Sequence, residues 1–177
     1  MLDKQEVQDV LDRFVTSVVN QSKRALTLQS KNRSGKLHKS IKGYSKASTN
    51  SFETSFEMAK PYGKFQDRGV KGVGGIKADG SAWKVKTVSR NGFGMSSPYK
   101  FGSKQPPMKA FKQDRLGRPV SDGRAFATAK TVYHQGIKSS LFFTKPFESA
   151  FSRLPQELIE AYGLDIEDFL EFTLNET

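Results

Sequence analysis

Val7, Val10, Leu11, Phe14, Val18, Ala25 and Leu26 recur at three- and four-residue steps, a period that puts them all on one stripe of an α-helix. Val15 and Val19 widen the stripe, as expected of a helix lying on a sheet. Asp3 stands at a capping position, and Glu6 completes a capping-box spacing with Asp in place of the usual Ser or Thr. The polar, glycine-ended run from Ser30 to Gly35 stops the pattern near Gln29. A helix over residues 3–29 thus poses the problem the rest of the chain must solve, because something has to cover its broad apolar face.

The following residues supply that cover. Gly35 to Ile41 reads as a short helical turn with Leu37 and Ile41 inward, four residues apart. Lys42–Ala47 and Ser51–Met58 flank the turn-forming Ser48-Thr49-Asn50. In the second run Phe52, Thr54, Phe56 and Met58 alternate with Ser51, Glu53, Ser55 and Glu57, which is strand period. A hairpin is predicted, with Phe52 and Phe56 toward the long helix and Pro61 ending the strand. Gly136–Thr144 is apolar enough for a core strand. Pro146 suits a helix start, with Phe147, Ala150, Phe151 and Leu154 at helical spacing and Pro155 ending or kinking the helix. Gln156–Leu174 reads as a last amphipathic helix, or as two short ones around Gly163.

Between Val70 and about Gln135 the periodicity fades. Gly69, Gly72, Gly74, Gly75 and Gly80 cluster, a basic strand candidate covers Trp83 to Val88, and Ser121–Val132 fits a short helix or a strand equally well. So long a structureless loop is uncommon inside a compact domain, so this one is either functional or ordered only in an assembly, and the second is expected. The fold class is α+β, an antiparallel sheet packed by a long N-terminal helix and a C-terminal helix, with a long basic glycine-rich insertion. Its expected organisation is one domain over residues 1–154, including the insertion at 70–135, and an acidic helical extension over 155–177.

Apolar residues make up 36% of the chain, so its 14 phenylalanines must supply much of the buried area or line subunit contacts. There is no cysteine, which excludes disulfides and thiolate metal sites. The start, MLDKQEVQDVLDRF, has no apolar signal region, and no run approaches the roughly 18 apolar residues of a membrane span. A soluble protein, cytosolic when made and without a membrane role, is expected.

The net charge of +11 is uneven. From Pro155 onward there are seven acids (Glu157, Glu160, Asp165, Glu167, Asp168, Glu171 and Glu176) and no Lys or Arg, which leaves 29 basic against 11 acidic residues before them. A body this basic meets polyanions or acidic protein surfaces, unless the charge serves solubility alone.

Catalytic groups are hard to assemble. His38 and His134 lie in different segments without metal-ligand spacing. KGVGGIKADG lacks the GK[ST] ending of a phosphate loop and reads as a mobile loop. Asp165 and Asp168 lie in an acidic stripe, and no GxSxG occurs. Neither an enzyme activity nor a cofactor or metal is expected. Lys71, Lys77, Lys84, Lys86, Arg90, Lys100, Lys104, Lys109, Lys112, Arg115 and Arg118 interleave with Trp83, Phe93, Tyr99, Phe101 and Phe111. Phosphate contact with base stacking is therefore the alternative function, although no RNP, KH, helix-turn-helix or zinc-finger signature accompanies it.

Three motifs in order carry a resemblance. Ser34-Gly35-x-Leu37-x-x-Ser40-Ile41 follows the long helix, Tyr62-Gly63-Lys64-Phe65 leads into Gly69, and Lys145-Pro146-Phe147 lies near the end. Together they resemble the tail-completion and head–tail joining proteins of tailed bacteriophages, which tend to show T-G-x-L-x-x-S-I, Y-x-x-x-E-x-G and a P-F helix start. Here Ser replaces Thr in the first motif, and Gln66-Asp67 with a longer spacing replaces the Glu of the second. The match covers roughly residues 3–69 and 137–154. It implies a small α+β domain and a non-enzymatic virion part, present as a ring of copies at the neck. It further implies portal or adaptor and tail proteins as neighbours, DNA in the channel, and host cytoplasm as the place of assembly. On this reading Tyr162, Asp165, Ile166, Asp168, Phe169 and Phe172 of the tail dock on a neighbour, and Lys71, Lys77, Lys84, Lys86 and Arg90 contact protein or DNA.

Overall fold

The computed structural model describes residues 4–29, 35–48, 51–58, 62–85, 97–114, 117–156 and 158–159. The chain divides into two compact units, one built from residues 1–63 with 142–177 and the other from 64–141.

The first unit is the α+β fold. Helix α1, Lys4–Leu28, buries Val7, Leu11, Phe14, Val15, Val18, Ser22 and Leu26, the stripe its period requires. A five-residue helix α2, Lys36–Ser40, turns Leu37 inward, and Ile41 after it is fully buried. Strands β1, Lys42–Ala47, and β2, Phe52–Glu57, form the antiparallel hairpin. Along β2 Thr54, Phe56 and Met58 are buried and Phe52 is half-buried, so the alternation sets the inward face. On the other face the register places Lys42 opposite Glu57 and Lys46 opposite Glu53, pairings of unlike charge that favour this register over a slipped one. Gly43 faces α1, where a Cβ would stand 3.1 Å from both a Phe56 ring carbon and a Val19 methyl.

A side chain of α1 also ties down the hairpin. Gln8 Oε1 accepts the Ala47 N–H at 2.7 Å, and Gln8 Nε2 donates to Asp12 Oδ1 at 2.8 Å. Asp12 in turn accepts from the Ser45 hydroxyl. A backbone donor at the end of β1 is thereby satisfied from the helix.

Helix α5, Thr144–Phe151, packs against α1 with Pro146 in its first turn, where the missing N–H costs nothing. It ends at Phe151, before Pro155, so the proline does not terminate it; Leu154 is buried beyond the helix end. The expected core strand over 136–144 shrinks to two residues. Phe142 and Phe143 lie in the turn before α5, both fully buried. The last helix falls almost entirely outside the described residues, as do Asp3, Ser34 and Pro61; Leu158 is fully buried.

At the centre are phenylalanines. Phe147 meets Phe14 edge-on at 5.4 Å between ring centroids, and Phe56 meets Phe143 at 5.3 Å in the same way. Phe56 also lies 6.1 Å from Phe147, so one ring cluster joins α1, the hairpin and α5. Such pairs contribute about 0.5–1.5 kcal/mol each beyond the area they bury.

In the second unit the expectation of a structureless middle does not hold. Helix α3, Tyr62–Arg68, carries the chain across the boundary, where the sequence offered an aromatic-glycine segment of no assigned form. Strand β3, Val70–Lys71, pairs antiparallel with β4, Gly136–Ile137. Helix α4, Asp122–Gln135, lies against a 3₁₀ turn at Met108–Phe111. The strand candidate at Trp83 is not a strand over Trp83–Val85, and its remainder lies outside the described residues.

Phe147→Ala is expected to destabilise the protein by about 3–5 kcal/mol, read as a lower denaturant midpoint for the far-UV signal. A loss below about 1 kcal/mol would show that the ring cluster is not the organising core.

Candidate interaction surface

The second unit is built on backbone contacts. Lys71 N–H donates to Tyr99 O at 2.8 Å and Phe101 N–H to Lys71 O at 3.1 Å, so the chain near Lys100 flanks β3 opposite β4. The buried Ser97 hydroxyl donates to Gly69 O at 2.8 Å. Glycines make these approaches possible. At Gly69, φ is +76°, and a Cβ would stand 2.6 Å from Ile137 O. A Cβ on Gly72 would collide with His134 O, and one on Gly136 with Val70 O.

The glycine cluster expected to be a mobile loop caps a helix instead. Val73 N–H donates to Tyr133 O at 3.1 Å and Gly74 N–H to His134 O at 3.0 Å, two of the carbonyls that the C-terminus of α4 leaves without intrahelical partners. Donors so engaged cannot cradle an anion. A tight turn follows, with Ile76 bridged to Ala82 and Lys77 N–H donating to Ser81 O at 2.8 Å. Asp79 Oδ1 accepts the Ser81 hydroxyl at 2.7 Å and its N–H at 2.9 Å. The Ser81 hydroxyl, then the Ser81 N–H, hold the Asp79 carboxyl below its ordinary range.

This turn lays Trp83 flat on His134, with centroids 5.0 Å apart and planes 4° from parallel. The Lys77 ammonium sits 5.5 Å from the Trp83 ring centre. His134 Nδ1 lies 2.6 Å from Gly74 O; a carbonyl only accepts, so Nδ1 carries the proton. Phe101 packs on Tyr133 at 5.9 Å, Tyr133 donates its hydroxyl to Gly102 O at 3.0 Å, and Tyr99 meets Phe65 edge-on at 4.9 Å. Three of the rings that resembled a base-stacking platform, Trp83, Tyr99 and Phe101, are therefore each packed on another ring of the unit: His134, Phe65 and Tyr133. Phe93 lies outside the described residues, and Phe111 is half-buried.

What the second unit exposes is charge. Sixteen of the 29 Lys and Arg but four of the 18 Asp and Glu fall in residues 64–141, so this unit carries +12 and the rest of the chain −1. All four carboxylates are engaged or hidden. Asp67 is fully buried and Asp79 binds Ser81. Asp114 Oδ2 accepts from Arg118 Nε at 2.7 Å, and Asp122 pairs with Lys112. Lys71 and Lys84 are exposed and Lys77 is half-buried against Trp83. Lys86 and Arg90 lie outside the described residues, as do Tyr162, Asp165, Ile166, Asp168, Phe169 and Phe172.

Little apolar side chain is buried in this unit. Among its described residues only Val70, Ala125 and Ala129 are buried apolar side chains, whereas the contiguous core cluster lies wholly in the first unit. Ile76, Val85, Met108 and Phe126 are exposed here, Phe126 by 50%. Among the described residues no group of His, Asp and Glu could hold a metal, and no helix is long and apolar enough to cross a membrane.

The residues of the three motifs have structural positions. Leu37, Ile41, Pro146 and Phe147 are buried in the first unit, and the Ser40 hydroxyl donates to Leu37 O at 2.8 Å. Gly35 takes φ +68° before α2. Phe65 packs on Tyr99, Gly69 holds the close approach to β4, and Tyr62 is 49% exposed. Comparison of the chain with protein-family models, curated proteins and solved structures finds no match.

Gly72→Ala is expected to disrupt the second unit, removing the near-UV circular dichroism of Trp83, the chain's single tryptophan. Gly102→Ala, with nothing within 4 Å of the added Cβ, should leave that signal unchanged. Equal spectra for both variants would refute the backbone-contact account.

Proposed function

We propose that the chain is a non-enzymatic virion protein of a tailed bacteriophage, a ring subunit at the neck that completes or joins the tail. The observation that carries the reading is the division of labour between the units. A self-sufficient α+β unit accompanies a basic unit whose described residues bury three small or medium apolar side chains. A unit of this size ordinarily needs a larger core, disulfides, a metal or an assembly partner. Cysteine is absent, and the exposed Phe126, Ile76 and Met108 remain to be covered. Neighbouring copies in a ring supply that cover.

The ordered motifs support the same reading. They place Leu37, Ile41 and Phe147 in a core of a long helix, a hairpin and a C-terminal helix, with Pro146 buried in the last of these, the α+β arrangement that the resemblance implies. Portal or adaptor proteins, tail proteins and channel DNA are the partners such a ring meets, in the virion and during assembly in the host cytoplasm.

The second reading is non-specific nucleic-acid binding, favoured by the +12 charge of residues 64–141. With Trp83, Tyr99 and Phe101 paired internally, its chemistry is phosphate contact more than base stacking. Neutralising Lys84, Lys86 and Arg90 together would then weaken DNA binding and lower its salt slope by about 2.7; a ring subunit would keep assembling.

A stop codon in this reading frame should yield DNA-filled heads beside separate tails in electron micrographs of lysates. Normal, joined particles would overturn the neck reading.

A further inference from the structure

The face that carries the exposed Phe126 has a geometry of its own. Helix α4 turns Ala125 and Ala129 inward, and its opposite side carries Gly123, Arg124, Phe126, Ala127 and Lys130, all exposed. At about 100° per residue these five span one continuous face. Phe126 stands at one margin, Arg124 at the other, and the small Gly123 and Ala127 lie between them beside Lys130. The only acid of the helix, Asp122, is held by Lys112. Neither Arg124 nor Lys130 has an ion pair among the described residues. The face is thus a shallow apolar strip with a projecting ring and two free cations, and half of that ring remains in water in the single chain.

The chain itself contains a segment of complementary chemistry. Residues 155–177 carry seven acids and no Lys or Arg. Tyr162, Ile166, Phe169 and Leu170 recur there at one-, three- and four-residue steps among Asp165, Glu167, Asp168 and Glu171. We infer that the exposed face of α4 receives the acidic C-terminal segment of a second copy of this chain. Apolar side chains of the segment cover Phe126 and Ala127, while its acids meet Arg124 and Lys130. Donor and acceptor are different surfaces of one chain, so the contact is head-to-tail, the kind that repeats around a ring or along a filament. This inference rests on the ring reading and deepens it, naming which surface of one subunit meets which segment of the next.

The lack of cysteine makes the test direct. Full-length Phe126→Cys and Phe169→Cys variants, carrying different tags, are mixed and oxidised at about 0.15 M salt. The expected product is a disulfide-linked heterodimer, at least ten-fold more abundant than either homodimer, and its yield falls when mixing is done at 1 M salt, as screening of a charged contact demands. In the unlinked protein, Arg124→Glu with Lys130→Glu should lower the assembled fraction at least ten-fold, and Asp165→Lys with Asp168→Lys in the same chain should restore it. Circular dichroism of the α4 variant confirms that it folds.

Assembly at the normal yield without the 126–169 bond would overturn the contact and leave the ring reading intact. In a third variant with both Phe126→Cys and Phe169→Cys in one chain, a bond formed only within single chains, with no heterodimer from the mixed variants, would overturn it in favour of docking inside one chain. A protein that stays monomeric under all conditions would overturn both the contact and the ring, whereas normal particles from the stop-codon phage would remove only the neck assignment.

Discussion

Edge-to-face packing of a few phenylalanines is what the first unit depends on. Phe14 comes from α1, Phe56 from β2, and Phe143 and Phe147 from the turn and helix near the end of the chain. With apolar residues at 36%, a core of small aliphatic side chains would leave the broad face of α1 uncovered. Large rings remove more surface from water per residue and fix the angle at which elements meet. The positions of the hairpin and of α5 on α1 follow from that cluster, and the Gln8 contacts to β1 add a polar constraint at its edge.

The second unit works on another principle. Its segments are joined by backbone hydrogen bonds at glycines, and its rings form a row, Trp83–His134–Tyr133–Phe101, and a separate pair, Phe65–Tyr99. Such a unit is specified mainly by geometry. Apolar burial within it is small, so its stability is sensitive to what lies against its surface, a property suited to a part that functions in an assembly. The partition of charge follows the same division. The whole net positive charge resides in the unit without a large core, and the first unit with its tail is close to neutral.

The first unit was largely legible in the sequence because its elements bury periodic apolar residues. Val7 to Leu26 show the helix, Phe52 to Met58 the strand, and Pro146-Phe147 the helix start. The second was not legible, for a physical reason. Helix α4 buries alanines, which leave almost no hydrophobic period, and α3 has seven residues with a glycine among them. The run Gly136–Thr144 misled because its apolar residues face two destinations: Ile137 pairs with Val70, while Phe142 and Phe143 enter the core of the first unit. Contacts such as Trp83 on His134, or Gly74 on the end of α4, join residues more than fifty positions apart and leave no local trace. The glycines at 69, 72, 74, 75 and 136 were the available signal, each marking a place where backbones meet or turn sharply.

The bonds at the two ends of the second unit bear on how the chain becomes folded. The core of the first unit needs Phe143 and Phe147, which follow β2 only after the 78 residues of 64–141. Closing a flexible loop of that length would cost about 4 kcal/mol in chain entropy, and ribosomal synthesis at roughly 5–20 residues per second leaves α1 and the hairpin waiting several seconds for their partners. Yet Ser140 and Leu141 donate to the carbonyls of Gln66 and Asp67, and Val70 pairs with Ile137. The second unit holds its own ends together like a clasp. Once it has formed, Phe142 emerges only a few residues from the point where the chain left the first unit, and a contact remote in sequence becomes a neighbourly one.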